Sequence, residues 1–175
     1  RRLVLARQEQ DARVLQLHPH SDVDILILLR KEQHNLQEPI STFLTFLWDI
    51  GLAVGHSVRT LKECVREAKN DITVATNLQE ARLIVGQNTL LEEQRKLCGP
   101  KKLWPSDKFF AAKWQEQVTR HQKFNDTAYN LEPNIKEGPG GLRDIQMIGW
   151  VTKRHFDTNE LHDLVTHDFL NEHEY

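Results

Sequence analysis

The stretch that decides the fold is residues 18–29, which read His-Pro-His-Ser-Asp-Val-Asp-Ile-Leu-Ile-Leu-Leu. Val23–Leu29 is apolar and rich in β-branched residues, and it follows the Pro19 turn, so it predicts a buried central strand. Alternate residues of a strand project to the same face, so we expect Asp22 and Asp24 to point together at the beginning of this strand. Two neighbouring carboxylates at a strand end favour a bound cation.

A carboxylate pair of this kind suits phosphoryl or nucleotidyl transfer. Hard divalent ions such as Mg²⁺ or Mn²⁺ bind carboxylate oxygens and keep positions open for water and substrate phosphates. Two ions about 3.5–4 Å apart can hold the triphosphate and the attacking hydroxyl in line. The alternative interpretation is structural, with Asp22 capping the turn and Asp24 solvated on an edge strand.

Downstream of this strand the pattern alternates between helix and strand. Pro39 opens an amphipathic helix that Gly51 ends, and residues 52–59 follow as a short strand. Thr60 caps the next helix, and a longer helix is predicted from Thr73 to about Ile84. The expected fold class is α/β (α+β), with a small mixed sheet followed by a helical region.

The second half of the chain is predicted to be mostly helical. After a region of Gly and Pro breakers, residues 106–125 are strong helix formers, residues 126–141 form a Gly- and Pro-rich loop, and residues 142–155 restart a helix. We therefore expect a first domain at residues 1–98 and a helical region at residues 99–175, whose loop packs on the first domain.

Composition excludes several classes of function. With 39% hydrophobic and 27% charged residues the chain is globular, and it has no unbroken apolar stretch of the ~20 residues that a membrane span needs. A net charge of -2 offers no broad attraction for nucleic acid. Cys64 and Cys98 show no Cys-x-x-Cys spacing, which favours a reducing cytoplasm over a disulfide framework or a zinc site. Residues 1–7 lack the apolar core of a signal peptide and are interpreted as a helix fragment.

Three further blocks follow the aspartates. Residues 47–60 contain Val-Gly-His-Ser-Val-Arg-Thr, residues 71–83 begin Asp-Ile-Thr-Val-Ala-Thr-Asn-Leu, and residues 129–145 contain Glu-Pro-Asn-Ile-Lys and Gly-Gly-Leu-Arg-Asp-Ile. Together with Ser-Asp-Val-Asp, and in the same order, they resemble the nucleotidyltransferase part of the PII uridylyltransferase/uridylyl-removing enzymes. These enzymes belong to the polymerase-β-type nucleotidyltransferase superfamily.

The resemblance implies a function in nitrogen regulation. Its enzymes transfer a uridylyl group from UTP to a tyrosine of the PII signalling protein and release pyrophosphate. Asp22 and Asp24 would be the catalytic metal ligands, with Mg²⁺ or Mn²⁺ as cofactor. Uridylyl removal belongs to a separate His-Asp domain in these enzymes and is not expected here, because the dipeptides His162-Asp163 and His167-Asp168 lie within one short tail.

Four side chains are candidate nucleotide contacts: Ser21, Arg59, Lys136 and Arg143. Ser21 could touch a phosphate or be a simple turn residue. Arg59 could bind a phosphate bidentately or form an ion pair that orients the sheet. Lys136 and Arg143 flank a Gly-Pro-Gly-Gly turn, which is either an anion-binding corner or a loop that docks the helical region.

Two positions depart from the family pattern. Where some relatives carry a third carboxylate this chain has Ala53. The remaining candidates are Asp71 and Glu80, of which Asp71 is preferred, although an N-cap explains Asp71 equally well. The family's Gly-Gly-x-Gly-Arg turn is replaced by residues 12–16, Ala-Arg-Val-Leu-Gln. Either a segment with the glycine loop is missing from the sequence near residues 13–16, or the domain lacks the loop and is a non-catalytic nucleotide-binding module. A related nucleotidyltransferase of other specificity is the remaining alternative.

Overall fold

A computed structural model describes residues 3–8, 23–128, 131–156 and 162–173, with residues 3–8 described as backbone alone. Ser21, Asp22 and residues 13–16, where the missing glycine loop is expected, lie outside the described residues. The chain divides into two compact units, Arg1–Gly99 and Pro100–Tyr175. The functional assignment of the two parts stays a prediction.

The first unit is built on a mixed sheet of four strands: β1 (Leu3–Gln8), β2 (Val23–Leu29), β3 (Val54–Thr60) and β4 (Ala81–Gly86). Their order in the sheet is β3-β2-β1-β4. Strand β2 pairs in parallel with β3, whereas β1 pairs antiparallel with both β2 and β4. The predicted α/β class with a small mixed sheet is confirmed.

Strand β2 is buried because it is apolar on both faces. Every residue from Ile25 to Leu29 is less than 10% exposed, and Leu26 and Leu28 are fully buried. On one face the residues Ile25, Ile27 and Leu29 pack against Leu36, Ile40 and Leu47. Those three partners come from a short 3-10 helix at His34–Leu36 and from helix α1 at Gln37–Asp49. Burying each such side chain contributes about 1.5–3 kcal/mol.

Thr60 begins the next helix as the sequence predicted. Its hydroxyl accepts a hydrogen bond from the Glu63 backbone N–H at 3.3 Å, and the Glu63 carboxylate accepts from the Thr60 N–H at 2.7 Å. This reciprocal capping box satisfies two N–H groups that would otherwise lack a partner. The hydrogen bonds from Thr60 hold the pKa of Glu63 below its ordinary value. The helices that follow in this unit are α2 (Leu61–Asn70), α3 (Ile72–Glu80) and α4 (Asn88–Cys98).

Two predicted helices of the first unit were wrong in the same way. Residues 1–7 were expected to be helical, but Leu3–Gln8 is β1. The helix expected from Thr73 to Ile84 ends at Glu80, and residues 81–86 form β4. Both segments are short apolar runs whose partner is a strand distant in sequence, so local propensity did not decide their conformation.

The second unit is helical in its described part, as predicted. Its helices are α5 (Pro100–Leu103), α6 (Ser106–Gln122), α7 (Leu142–Phe156) and α8 (Asp163–Thr166). Helix α6 stops three residues before the expected end, and the chain then turns through Asn125 and Asp126, which both have positive φ. Across the described ranges, none of the helices is both long enough and apolar enough to cross a lipid bilayer.

Candidate functional site

The register of β2 against β3 brings a set of polar residues to the face that carries Asp24. Asp24 pairs with Gly55, Leu26 with Ser57 and Leu28 with Arg59. Alternate residues of a strand share a face, and paired residues of neighbouring strands lie on the same face. Ser57 and Arg59 therefore lie on the Asp24 face of the sheet, opposite the face that packs against α1.

A cavity of about 190 Å³ opens on this face. Its wall includes Asp24 from β2, Ser57 and Arg59 from β3, and Val74 and Asn77 from α3. The cavity thus joins the beginning of the buried central strand to helix α3, which lies within the sequence block at residues 71–83. It is the place where the structure brings predicted site residues together.

This wall carries two opposite charges, Asp24 and Arg59, of which Arg59 also acts electrostatically on Glu63. The Asp24 side chain is half-buried, and no hydrogen bond or ion pair joins it to another described residue. The Arg59 guanidinium is likewise half-buried without such a bond among the described residues. The ion pair that the sequence suggested for Arg59 is therefore not formed with Asp24, and Asp22, the other possible partner, lies outside the described residues. Partial burial costs each group hydration, so both groups are disposed to bind a ligand of opposite charge.

The free carboxylate of Asp24 fits a hard divalent cation. Mg²⁺ is commonly held by one or two carboxylates, with water and substrate phosphate filling its other positions. Asp22, the second carboxylate expected here, lies outside the described residues. Within the described ranges, no group of three or more His, Cys, Asp or Glu residues could hold a metal ion. The carboxylate of Asp24, completed by water and phosphate, is the part of such a site that the described residues offer.

Asp71 is used elsewhere in the structure. Its carboxylate accepts hydrogen bonds from the backbone N–H groups of Thr73 at 2.7 Å and Val74 at 3.4 Å, and so caps α3. The side chain is exposed and does not line the Asp24 cavity. Of the two interpretations of Asp71, the N-cap is the one the structure displays, and its metal role stays a prediction.

Lys136 and Arg143 lie in the second unit. Arg143 donates to Glu137 through Nε and to Gln146 through Nη1, both at 3.1 Å. Its charge is thereby neutralised beside the loop that precedes α7. Lys136 has an exposed side chain, while its backbone N–H donates to Asn134 Oδ1 at 3.1 Å. The nucleotide role of both residues stays a prediction.

Part of this chain matches a known protein family, and most of it is similar to known enzymes. Residues 108–175 match the family model described as GlnD PII-uridylyltransferase. This segment of the chain is therefore similar to the PII-uridylyltransferase family. The chain is 55% identical over 155 residues to a bifunctional uridylyltransferase/uridylyl-removing enzyme of Nitrosococcus oceani, which covers 88% of this chain and 17% of that protein.

Other relatives carry the same name. The chain is 53% identical over 161 residues to the enzyme of Azotobacter vinelandii and 54% identical over 160 residues to that of Pseudomonas aeruginosa. Each match covers 91% of this chain and 18% of the relative, so the chain spans less than a fifth of these enzymes. The similarity extends from the segment at residues 108–175 into the first unit. No solved structure matches the chain.

Within the segment matched by the PII-uridylyltransferase model, Asp144 forms a paired cluster that the sequence did not indicate. Its carboxylate accepts hydrogen bonds from Arg120, from the Gly140 N–H at 2.7 Å and from His121 Nε2 at 3.0 Å. Burial raises the pKa of Asp144, but the Gly140 and His121 hydrogen bonds and the charges of His121 and Arg120 outweigh burial, so its pKa lies below the ordinary value. Asp144 thus ties the end of α6 to the start of α7.

Sequence reasoning also missed two residues of the Asp24 cavity. Gly55 lay inside a recognised block, but its position opposite Asp24 depends on strand register. Asn77 projects from α3 into the same cavity wall and was counted only as part of a block. Period-two alternation along residues 54–60 would have grouped Gly55 with Ser57 and Arg59, although not with Asp24.

Proposed function

We propose that this chain is the nucleotidyl-transferring segment of a PII uridylyltransferase. It would transfer a uridylyl group from UTP to a tyrosine of a PII regulatory protein and release pyrophosphate. The observation that carries the proposal is the pair of opposite charges, Asp24 and Arg59, on one cavity wall. The names of the relatives supply the reaction type, since they are called uridylyltransferases.

Three residues of the cavity wall, Asp24, Ser57 and Arg59, have a role in this proposal. Asp24, together with Asp22, would hold Mg²⁺ or Mn²⁺, which when bound neutralises triphosphate charge. Arg59 would bind phosphate oxygens through its planar donor fork, and Ser57 would donate a further hydrogen bond. Because the wall is half-buried, these interactions are stronger than they would be in open water.

The transfer itself is a displacement at the α-phosphorus of UTP. The tyrosine oxygen forms the new bond to phosphorus, the bond to the pyrophosphate oxygen breaks, and the hydroxyl proton passes to a carboxylate or to solvent. Binding both reactants on one wall converts a bimolecular reaction into an effectively unimolecular one. Cavity residues therefore contribute through position and charge.

Other parts of the proposal rest on fewer observations. Ser21 and the exposed Lys136 are proposed phosphate contacts, whereas Arg143 would first have to leave Glu137. Signal transduction in the cytoplasm is the proposed setting, and the free, buried Cys64 and Cys98 suit a reducing compartment.

A second candidate function is a non-catalytic nucleotide-binding module. The observation in its favour is residues 12–16, where the sequence has no glycine to let backbone approach a triphosphate. This candidate predicts UTP binding without transfer. Measuring UTP binding beside uridylyl transfer therefore separates the two candidates.

The experiment follows label from UTP marked at the α-phosphorus into a PII protein, with Mg²⁺ or Mn²⁺ present. We expect Asp24→Asn to lower the transfer rate by about 10³-fold or more, because the amide cannot supply the negative charge that holds the cation. The matched control is Asp49→Asn, the same chemical change at an exposed position at the end of α1. Undiminished transfer by Asp24→Asn contradicts the proposal, and UTP binding without any transfer by the parent chain favours the binding module.

A further inference from the structure

Gly55 leaves a space that the Asp24 carboxylate occupies. The two residues are partners in the parallel pair of β2 and β3. A Cβ atom placed on Gly55 would overlap Asp24 Oδ1 and would lie 3.6 Å from Asp24 Cγ. The carboxylate therefore leans from β2 over the backbone of β3, at the position where any other residue would carry its side chain.

The backbone does not demand glycine at this position. The described glycines with positive φ are Gly51, Gly86 and Gly140, and Gly55 is not among them. An L-residue can adopt an ordinary strand conformation there, and glycine within a strand costs stability relative to residues with a side chain. The missing side chain, rather than backbone freedom, is what glycine provides.

We propose that Gly55 is a positioning residue, whose empty side-chain position directs the Asp24 carboxylate towards the cavity that Ser57, Arg59 and Asn77 line. The proposal rests on the proposed function and deepens it, because it names the feature that aims the cation-holding group. Strand β2 has a neighbour on each side, β1 and β3. The space over Gly55 selects the β3 side, where Arg59 lies.

The expected consequence of filling this space is a displaced carboxylate in an intact fold. The atom that a new Cβ would meet is the end of a short side chain, which can turn away at little cost. A misplacement of about 1 Å at a reacting group can lower a rate by about 10²-fold. Gly55→Ala should therefore harm cation binding and transfer far more than it harms stability.

The test compares the full chain with its Gly55→Ala variant in two assays that need no turnover and in the transfer assay. Mn²⁺ affinity is measured by electron paramagnetic resonance without UTP, and thermal unfolding is measured without metal. We expect the dissociation constant for Mn²⁺ to rise about tenfold or more, transfer to fall about 10²-fold, and the unfolding midpoint to change little. The control is Gly149→Ala in α7, where an added Cβ meets no atom within 4 Å.

Asp24→Asn separates failure of this inference from failure of the proposed function. If Asp24→Asn weakens Mn²⁺ binding while Gly55→Ala binds Mn²⁺ like the parent, the positioning role of Gly55 is overturned and the proposed function stands. If Asp24→Asn itself binds Mn²⁺ and transfers like the parent, the proposed function is overturned. Loss of Mn²⁺ affinity in both variants supports both.

If the Gly55→Ala variant folds poorly, a double-mutant cycle tests the proposal instead. Because the added Cβ would meet the Asp24 carboxylate, we expect Asp24→Ala to remove most of the stability cost of Gly55→Ala. The free energy of unfolding is measured for the parent, both single variants and the double variant. An equal cost of Gly55→Ala in both backgrounds would show that the space serves general packing, and it would overturn the proposal.

Discussion

Asp24 in the first unit and Asp144 in the second are both half-buried aspartates, yet their surroundings differ. Asp144 accepts hydrogen bonds from Arg120, His121 and the Gly140 N–H. Asp24 has no such partner among the described residues and lies on a cavity wall. A carboxylate whose charge is satisfied within the fold holds two elements together, whereas one left without a partner remains available to a ligand. Pairing, rather than burial, therefore distinguishes a structural aspartate from a candidate catalytic one.

The largest expected effect on stability comes from breaking the Asp144 cluster. Asp144→Asn leaves the Arg120 guanidinium, whose side chain is only 10% exposed, without a full counter-charge. We expect the free energy of unfolding to fall by about 2–3 kcal/mol. Asp24→Asn should change it by less than about 0.5 kcal/mol, because no described partner is lost. Urea denaturation of both variants measures the difference.

A larger loss of stability from Asp24→Asn than from Asp144→Asn would contradict the roles given to these two residues. An Asp144→Asn protein that unfolds like the parent but has lost transfer would place Asp144 in the chemistry. An Asp24→Asn protein that is strongly destabilised would give Asp24 a structural role.

The stability that Asp144 contributes should depend on pH. The pKa of Asp144 in the folded chain lies below its ordinary value of 3.8, so its ionised form is favoured by folding. A depressed folded pKa contributes stability that is present above the unfolded pKa and is lost as the pH falls through the folded pKa. We expect the stability gap between the parent and Asp144→Asn to be full at about pH 5 and to shrink as the pH falls below about 4. A gap that is unchanged at about pH 3 would contradict this origin of the stability.

The smallest expected effect concerns Asp71, where two substitutions separate capping from metal binding. Asp71→Ala removes the cap of α3 and should cost about 1 kcal/mol, whereas Asp71→Asn retains a capping oxygen and should cost a few tenths. Neither change should alter Mn²⁺ affinity if Asp71 is only a cap. A rise of about tenfold or more in the Mn²⁺ dissociation constant of Asp71→Asn would restore Asp71 as a metal ligand.

Elements that depend on residues close in sequence were predicted correctly, whereas elements that depend on distant residues were not. Strand β2, the Thr60 capping box and helix α7 were predicted correctly, because each depends on residues within one or two turns or on an unbroken apolar run. Strands β1 and β4 were missed because their hydrogen-bond partners come from distant parts of the chain. Helix α3 was recognised, but its end was misplaced because Gly86 resembled a helix terminator.

The residues of the candidate site show the same difference between local and distant interactions. Asp24 was predicted from its own strand, since alternation along β2 places a carboxylate at the start of a buried run. The ordered blocks predicted the family, which the comparisons bear out. Asp71 could not be assigned, because a cap and a metal ligand use the same residue type and differ only in what the carboxylate faces.

The sequence by itself determined the central strand, the local helix signals and the resemblance to the PII-uridylyltransferase family. All of these depend on neighbouring residues or on the order of motifs along the chain. Only the tertiary structure decided that Gly55 lies beneath the Asp24 carboxylate, that Arg59 shares its cavity and that Asp144 is paired. The physical reason is that strand register and helix packing set distances between residues far apart in sequence, and those distances decide which charges are paired and which remain available.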